Sequence, residues 1–305
     1  MKTKQLFRTL QKLALNRQMK AVAFEITKNC NLKCKHCYRR DFKGQDLTDK
    51  QWINIFKKLE KQGFIQAGWC GGEPLLRKEL IEKGKKYFPI NALITNGTIS
   101  IPKWNDMLFG VSVDGTPDIY EKIRGNTIKN QYNVVKNNIL EAIKNGNTVF
   151  ALMTIHKINQ GVLEEFAESW FKRSVSGVIF DFYTPQIDEP KDTIWLSFKE
   201  RDKVIERIMK LRKKYGEFLP WNTPEMLNKM KSENCKIHTD NCRKQAFEKE
   251  PTSLKLNFKG KRMYPCIMGA GSLKEAKIDC DRCGCIFAFP ADKQALWTSF
   301  KTIFL

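Results

Sequence analysis

The strongest constraint on the fold is an alternation of apolar, β-rich segments with amphipathic segments between residues 21 and 216. Apolar segments end in turn signals such as "NGT" and "DGT", and the intervening segments carry apolar residues at helical spacing. Because strands separated by helices run parallel with right-handed crossovers, six parallel strands are predicted, in a doubly wound sheet or a barrel. The predicted strands are 21–27, 64–69, 91–95, 108–113, 148–155 and 177–183, and the predicted helices are 47–63, 75–87, 127–146, 161–173 and 197–216.

The alternation stops after residue 216, where prolines, six cysteines and a hairpin-like stretch, "SLKLNFKGKRMYP", follow. We therefore expect an α/β core domain over 21–216, a domain boundary near 217–222 and a small cysteine-rich domain over 217–305. A basic amphipathic helix over 1–20 is expected to precede the core.

The composition sets the broad class of the protein. Hydrophobic residues make up 42% of the chain, which is typical of a globular protein. No run of about 18 apolar residues is present, so no transmembrane span is expected. The N-terminus lacks the apolar core of a secretory signal, which predicts a cytoplasmic protein. In that reducing compartment, ten cysteines indicate metal ligands or reactive thiols before disulfides.

Three cysteines lie close together in the loop after the first predicted strand. Cys30, Cys34 and Cys37 form a C-x3-C-x2-C pattern, and the next cysteine along the chain is Cys70. Three thiolates on one loop can bind a cubane iron–sulfur cluster and leave one iron open to a substrate or cofactor. The alternatives are unpaired thiols and a zinc half-site, although zinc usually takes paired C-x2-C units and a fourth ligand.

The stretch "CNLKCKHC" resembles the signature of the radical S-adenosylmethionine (SAM) superfamily, including an aromatic ring, His36, before the last cysteine. Further motifs follow in the order of that superfamily: "GGEP" at 71–74, "TNGT" at 95–98 and "SVDGTPDIYEKIRG" at 112–125. Each motif comes at the end of a predicted strand, on the face where barrel active sites assemble. The resemblance implies a partial (β/α)6 TIM-like barrel that is open on one side.

The resemblance also implies the cofactors. These are a [4Fe–4S] cluster bound by the three cysteines, and SAM, which is reductively cleaved to methionine and a 5′-deoxyadenosyl radical. The GGEP segment would bind the amino group of SAM through strand-end carbonyls and the Glu73 carboxylate. Ser112 and Arg124 would face ribose hydroxyls or the carboxylate, and His156 and Asn159 the adenosyl part. The remaining implied cofactor contacts are His36, Gly71, Gly72, Asn96 and Asp114.

A thiol, Cys70, precedes GGEP where related radical enzymes commonly carry Ser or Thr. One hypothesis is that Cys70 donates a hydrogen atom to a product radical, since its S–H bond is weak. The alternative is a small buried residue in place of serine, because free cysteine behaves as a small hydrophobe.

The C-terminal cysteines have the composition of a second metal site. Cys242, Cys266, Cys280 and Cys283 supply four thiolates, which suit a second iron–sulfur cluster or a structural zinc ion, and Cys235 or Cys285 could substitute. The turn into Cys266 and the C-x2-C that follows resemble auxiliary-cluster (SPASM/twitch-like) modules of radical enzymes. "CDRC" and "PC" followed by "IMGAG" also resemble the adenosylhopane synthase-like enzymes.

The resemblance to that subgroup favours a lipid, isoprenoid-like or other small organic substrate. In residues 3–19, Leu6, Leu10 and Leu13 recur at helical spacing among cations, which suits either an anionic membrane surface or packing across the open barrel. A peptide substrate is the alternative, since auxiliary-cluster domains occur in peptide-modifying relatives. The expected electron donor is a reductase such as flavodoxin or ferredoxin.

The net charge of +21 leaves a different class of function open. A metal-stabilised RNA-binding protein would carry such a charge, and so would a lysine-rich solvated surface. RNA-binding proteins usually interleave aromatic residues with basic stripes or contain a recognisable module, and neither is visible. We therefore expect no nucleic-acid partner.

Overall fold

The computed structural model describes residues 20–37, 44–187, 194–245, 253–263 and 279–285. Its strands are β1 (Lys20–Glu25), β2 (Phe64–Cys70), β3 (Ile90–Thr95), β4 (Leu108–Ser112), β5 (Thr148–Ile155), β6 (Gly177–Phe182) and β7 (Ser253–Leu256). Its α-helices are α1 (Asp49–Lys61), α2 (Lys78–Gly84), α3 (Pro117–Arg124), α4 (Gln131–Lys144), α5 (Leu163–Lys172), α6 (Phe198–Tyr215), α7 (Pro224–Met230) and α8 (Ser232–Gln245).

All seven strands lie in one parallel sheet, in the order β6-β5-β4-β3-β2-β1-β7. The edge strands β6 and β7 do not pair with each other, so the sheet is an unclosed, partial barrel. This arrangement confirms the predicted α/β class and the predicted parallel strands. It places the carboxyl ends of neighbouring strands along a single edge of the sheet.

The seventh strand differs from the sequence prediction. The stretch from Ser253 was expected to form a hairpin in a separate cysteine-rich domain, and a tight turn does close it, with Leu256 bridged to Arg262. However, Ser253–Leu256 also pairs in parallel with β1, from Ala21 to Phe24. Residues beyond the expected domain boundary therefore belong to the sheet of the barrel.

Two of the predicted helices begin at capping boxes. Thr48 and Gln51 form a capping box at the start of α1, and Ser197 and Glu200 form one at α6. The helix expected over 127–146 begins later, at Gln131. The sequence analysis missed α3, which follows the Asp-Gly turn directly and carries Pro117 in its first turn.

Aromatic side chains hold the helices to the outer face of the sheet. Phe24 of β1 and Trp69 of β2 stack with ring centroids 5.0 Å apart, and both pack against Phe56 of α1. These rings are fully buried, so burial of apolar surface fixes the strand pair that carries the first cysteine loop.

Two sequence predictions cannot be compared with this structure. The predicted amphipathic helix of the N-terminus lies outside the described residues, apart from Lys20. Cys266 lies outside them as well. Within the described ranges, no helix is both long enough and apolar enough to cross a membrane.

Candidate active site at the carboxyl edge of the sheet

The cysteine loop is attached to the end of β2 by continued backbone pairing. Beyond β1, Ile26 N–H donates to the Cys70 carbonyl at 2.9 Å, and Gly72 N–H donates to the Thr27 carbonyl at 2.8 Å. Glu73 N–H then donates to the Asn29 carbonyl at 2.8 Å. The pairing therefore reaches the residue immediately before Cys30.

This close pairing requires glycine at positions 71 and 72. A Cβ on Gly71 would lie 2.5 Å from the Thr27 carbonyl oxygen, and one on Gly72 only 2.0 Å from the Asn29 carbonyl oxygen. Gly71 also has a φ of +145°, which side-chain-bearing residues rarely adopt. The two glycines thus act first as spacers that let the cysteine loop approach β2.

A carboxylate fixes the opposite side of the same turn. Asp46 accepts hydrogen bonds from the Thr27 hydroxyl and, at 2.9 Å, from the Lys28 backbone N–H. The sequence analysis missed Asp46, because its partners lie 18 and 19 residues away.

The three thiols of the loop differ in exposure: Cys30 is exposed, Cys34 is buried and Cys37 is half-buried. Cys37 N–H donates to the Cys34 carbonyl at 3.2 Å, which turns the chain between these two cysteines. Lys35 N–H donates to the Ile123 carbonyl at 2.9 Å, which attaches the loop to the last turn of α3.

The Glu73 carboxylate is fully buried and binds the end of β3. It accepts hydrogen bonds from the Thr95 hydroxyl at 2.7 Å, the Asn96 backbone N–H at 2.8 Å and the Leu75 backbone N–H at 3.0 Å. Burial raises the pKa of Glu73, and these three donors oppose that rise. Glu73 therefore ties β2 to β3, in addition to its expected contact with an amino group.

Asn96 connects the end of β3 to the cysteine loop. Its amide nitrogen lies 3.8 Å from the Cys30 sulfur and donates to the Asn31 side-chain oxygen at 2.9 Å. The Asn31 amide in turn donates to the Thr98 hydroxyl at 2.8 Å. Asn31 and Thr98 were not singled out in the sequence, although both lie inside the quoted motifs.

Asp114 and Arg124 form a buried ion pair at the end of β4. Asp114 Oδ2 lies 2.7 Å from both Nε and Nη2 of Arg124, and Oδ1 accepts from Thr154 N–H at 2.8 Å. The remaining guanidinium nitrogen, Nη1, lies 3.8 Å from the Cys34 sulfur. Arg124 was expected to contact the cofactor, and in this structure it faces the buried cysteine.

The pKa values of Asp114 and Cys34 follow from the same contacts. Burial alone would raise the pKa of Asp114, but Arg124, His36 and the Thr154 N–H outweigh it, and the pKa lies below its usual value. Burial raises the pKa of Cys34 to about 11, against the opposing effect of Arg124. Without a metal, Cys34 is therefore protonated at neutral pH.

His156 presents a buried nitrogen at the carboxyl end of β5. Its Nδ1 accepts a hydrogen bond from the Ile158 N–H at 3.3 Å, while its buried Nε2 has no hydrogen-bond partner in the described structure. Burial lowers the pKa of His156 to about 4, so the ring is neutral at pH 7. Because Nδ1 is an acceptor, the proton must lie on Nε2, which is a donor.

Aromatic rings surround this imidazole. The His36 ring lies 5.7 Å from it and the Tyr183 ring 6.4 Å, measured between centroids. Asn159 holds the turn, since its amide donates to the Asp114 and Thr154 carbonyls and its oxygen accepts from His156 N–H. Asn159 therefore fixes this turn from within the protein, and its contact with the cofactor stays a prediction.

The two remaining predicted residues lie at strand ends. Ser112 is half-buried at the last position of β4. Cys70 is half-buried at the last position of β2, and its thiol donates to the Phe24 carbonyl at 3.3 Å.

The second group of cysteines reaches the same edge of the sheet from β6. Phe182 N–H donates to the Gly284 carbonyl at 3.1 Å, and Gly284 N–H donates to the Thr184 hydroxyl at 2.8 Å. Asp279 N–H donates to the Pro185 carbonyl at 3.1 Å. The segment 279–285, which contains Cys280, Cys283 and Cys285, therefore lies against the residues that follow β6.

Helix α8 brings one more thiol, that of Cys235, to this region. Cys235 is buried, and its sulfur lies 3.6 Å from the Cys283 carbonyl oxygen. Cys242 is half-buried further along the same helix. The structure thus brings Cys235 to the C-x2-C segment, where the sequence analysis had placed Cys242 and Cys266 first.

A sequence model described as the radical SAM superfamily matches residues 24–169. That range includes the cysteine loop and every strand end from β1 to β5. The chain belongs to the radical SAM superfamily. This membership confirms that it is an enzyme and that its cofactors are a [4Fe–4S] cluster and SAM.

Curated relatives of this radical SAM chain include an uncharacterised protein of Methanocaldococcus jannaschii. It is 28% identical over 214 residues, which cover 62% of this chain and 71% of the relative. A probable GTP 3′,8-cyclase of Methanopyrus kandleri is 31% identical over 90 residues, 28% of this chain and 29% of that protein. The second match is confined to a shared fragment.

Solved structures share the fold of this radical SAM chain. SuiB of Streptococcus suis bound to SAM gives a TM-score of 0.63 at 12% identity, over 98% of this chain and 71% of SuiB. The enzyme anSMEcpe with bound SAM gives 0.59 at 16% identity, over 93% of this chain and 84% of that one. At these identities, the likeness establishes the partial-barrel architecture.

The donor set of the cysteine loop fits the iron–sulfur cluster of a radical SAM enzyme. Three thiols on one loop meet two side-chain N–H donors, from Asn96 and Arg124, that point at the sulfurs of Cys30 and Cys34. Donors of this kind stabilise thiolates, the form that binds iron. Over the described ranges, no three His, Cys, Asp or Glu side chains are already gathered as a closed metal site, so the fit rests on this chemistry.

Proposed function

We propose that Cys30, Cys34 and Cys37 bind the [4Fe–4S] cluster at the carboxyl edge of the partial barrel, and that SAM binds beside it. The cluster supplies the electron that cleaves SAM to methionine and a 5′-deoxyadenosyl radical. The observation that carries this proposal is the contact of Arg124 and Asn96 with the sulfurs of Cys34 and Cys30, in a loop held to β2 at Gly72.

The residues along this edge have distinct proposed roles. Nε2–H of His156 donates to an acceptor of the adenosyl part, because it is a buried donor that no described residue satisfies. Ser112 and the carbonyls of Gly71 and Gly72 are proposed to contact the cofactor at neighbouring strand ends. Asp114 holds Arg124 in place, so that the guanidinium remains beside Cys34.

We propose that the substrate is a lipid, isoprenoid-like or other small organic molecule that enters the barrel from this edge. Ile94 of β3 is 43% exposed, although its neighbours Leu93 and Thr95 are buried. Since Leu93 packs in the core under the helices, Ile94 faces the inside of the barrel. An exposed isoleucine in the middle of a sheet supports an open, apolar inner surface.

Small residues on the same inner face support this proposal. Ala23, Gly68 and Ala92 are register partners across β1, β2 and β3, and they leave space that larger side chains would fill. A peptide is the competing substrate, since the SuiB fold has been solved with the precursor peptide SuiA and anSMEcpe with Cp18Cys peptide. We favour the apolar molecule on the strength of Ile94 and these small residues.

The cleavage step has a direct test. After anaerobic reconstitution with iron and sulfide, the wild-type chain should form 5′-deoxyadenosine from SAM with dithionite, and Cys34→Ala should not. Undiminished cleavage by Cys34→Ala would refute the assignment of the cluster ligands. Flavodoxin or ferredoxin with its reductase is proposed as the natural electron donor and should replace dithionite.

The substrate class is tested in the same assay by product analysis. Apolar extracts and small peptides from the source cell would be supplied separately, and 5′-deoxyadenosine and adenosylated or dehydrogenated products would be measured by mass spectrometry. Stimulation by the peptide fraction alone would replace the lipid proposal with the peptide one. Deleting residues 1–19 should abolish co-sedimentation with anionic liposomes if that segment contacts membranes.

We also propose that the C-terminal cysteines hold a second metal, either an iron–sulfur cluster or zinc. Cys242, Cys266, Cys280 and Cys283 are the ligands expected from the sequence. The approach of the buried Cys235 to the Cys283 carbonyl supports Cys235 as an additional candidate. Iron or zinc that remains in a Cys30/Cys34/Cys37 triple-alanine variant would identify the metal, and a variant that contains neither would refute this part of the proposal.

A further inference from the structure

Arg201 is a buried cation near the start of α6. The side chain is only 1% exposed and is among the largest fully buried side chains of the described structure. Nη1 donates to the Cys283 carbonyl at 2.6 Å, and the guanidinium lies 4.6 Å from the centroid of the Phe198 ring. Nε and Nη2 are buried and have no hydrogen-bond partner among the residues that the structure describes.

Arg201 lacks the carboxylate partner that another buried arginine of this protein has. Arg124, the comparable buried arginine at the first cysteine loop, has two nitrogens on the Asp114 carboxylate. Arg201 has no ion pair with any carboxylate of the described residues. Burying a charge without a counter-ion costs several kcal/mol, and a ring contact and one carbonyl offset only part of that.

The backbone of the C-terminal cysteine segment lies against Arg201, through the Cys283 carbonyl. Cys235, whose side chain is 2% exposed, shares with Arg201 the Cys283 carbonyl oxygen as its neighbour. Ser232, one turn before Cys235, donates to Asp202 beside Arg201, and this contact docks α8 onto α6. Arg201 of α6, Cys235 of α8 and the segment 279–285 thus meet at the Cys283 carbonyl.

We propose that Arg201 is the counter-charge of an anionic metal–thiolate site formed by Cys235 and the cysteines of 279–285, an inference that rests on the proposed second metal. Protonated thiols or a disulfide carry no charge and leave the guanidinium uncompensated. Several thiolates around a divalent ion or an iron–sulfur core give the site a net negative charge. The two orphaned N–H groups then have acceptors, because thiolate sulfur accepts hydrogen bonds.

Arg201 is therefore a positioning residue for this site, and it does not act as a ligand. The same charge logic applies to zinc and to an iron–sulfur cluster, so the proposal concerns the thiolate charge, which both metals share. The role of Arg201 as a counter-charge differs from a purely structural role in one respect. A structural arginine stabilises the fold with or without metal, whereas a counter-charge stabilises only the metal-loaded state.

The test uses the full chain with Cys30, Cys34 and Cys37 replaced by alanine, so that only the C-terminal site can bind metal. Arg201→Met removes the charge at similar volume, and Arg201→Lys keeps the charge. Arg207→Met is the matched control, because it makes the same change on α6 at an arginine that is partly exposed and paired with Glu164. Each chain is loaded in parallel with zinc alone or with iron and sulfide. The readouts are bound metal by mass spectrometry, retention against a chelator, and melting temperature with and without metal.

We expect Arg201→Met to weaken metal retention by about 10- to 100-fold, the usual effect of removing a group that supports metal ligands. Arg201→Lys should lose less of its metal retention, and Arg207→Met should retain metal as well as its parent does. Without metal, Arg201→Met should melt no lower than its parent, because it removes an uncompensated buried charge. The increase in melting temperature on loading should be smaller than in the parent.

Three results would overturn the inference: equal retention in Arg201→Met and Arg207→Met, a parent that binds neither metal, or a metal-free Arg201→Met chain that is destabilised or does not fold. Formation of 5′-deoxyadenosine by the chain with Cys30, Cys34 and Cys37 intact separates this inference from the proposed reaction. Cleavage of SAM by a chain that binds no C-terminal metal would refute the role of Arg201 and leave the proposed reaction standing. C-terminal metal without cleavage of SAM would refute the proposed reaction and leave the role of Arg201 standing.

Discussion

Replacing Gly72 by alanine tests how the cysteine loop is held. The added Cβ would lie 2.0 Å from the Asn29 carbonyl oxygen and 2.4 Å from its carbon, and these backbone atoms cannot rotate away. The two strand ends must separate, which breaks the hydrogen bonds from Gly72 to Thr27 and from Glu73 to Asn29. Overpacking costs about 1–3 kcal/mol and each lost hydrogen bond about 1 kcal/mol, so Gly72→Ala should lower the free energy of unfolding by about 3–5 kcal/mol.

The same separation moves Cys30, so iron bound after reconstitution should fall together with stability. Urea unfolding gives the first quantity, and iron per chain gives the second. Gly161→Ala is the matched control, because no atom lies within 4 Å of its Cβ position and its φ is not positive. Alanine there should change the free energy of unfolding by less than about 1 kcal/mol. Wild-type stability and iron content in Gly72→Ala would refute the proposed role of the backbone pairing.

Three further predictions concern ionisation and the thiol on β2. The contribution of the Asp114–Arg124 pair should be full above about pH 4, the ordinary carboxyl pKa, and decline below it. A stability difference between wild type and Asp114→Asn that stays constant into acid would contradict the lowered pKa. For His156, the unfolded ring takes a proton near pH 6.5 but the folded ring only near pH 4. The free energy of unfolding should therefore fall by about 3 kcal/mol as the pH is lowered from 6.5 to 4. Urea titrations of His156→Gln should lack this slope, and an unchanged slope would refute its assignment to His156. Cys70→Ser should keep the contact with Phe24 and form the same product at the same rate, whereas loss of product with normal 5′-deoxyadenosine would support the hydrogen-donor hypothesis.

The positions of the residues around the first cysteine loop were predictable because they depend on local sequence. Each motif follows a strand, and parallel strands bring their carboxyl ends together whatever the helices between them do. For that reason Asn96 meets Cys30 and Arg124 meets Cys34, although the partners are far apart in the chain.

The partners of those residues were less predictable. Glu73 was expected to face an amine, but three internal donors already occupy its carboxylate. Which donors a buried carboxylate finds depends on the packing of neighbouring strand ends, and a residue pattern does not record that. Asp46 and Arg201 escaped notice for the same reason, since each acts on backbone groups distant in sequence.

The seventh strand was missed because the segment is short and its partner is distant. A four-residue strand beside a turn reads as a local hairpin, and nothing in "SLKL" indicates that β1 is its neighbour. Long-range pairing of this kind depends on the shape of the finished barrel.

The place of β7 has a consequence for how the chain folds during synthesis. Among the described strands, the first and the last in chain order, β1 and β7, are neighbours in space. Until the ribosome has passed Leu256, the outer edge of β1 exposes unpaired N–H and C=O groups beside the cysteine loop, and such edges recruit other chains. The nascent protein is therefore most open to aggregation just before β7 emerges, and Cys266, Cys280, Cys283 and Cys285 are synthesised only after the described sheet can be completed.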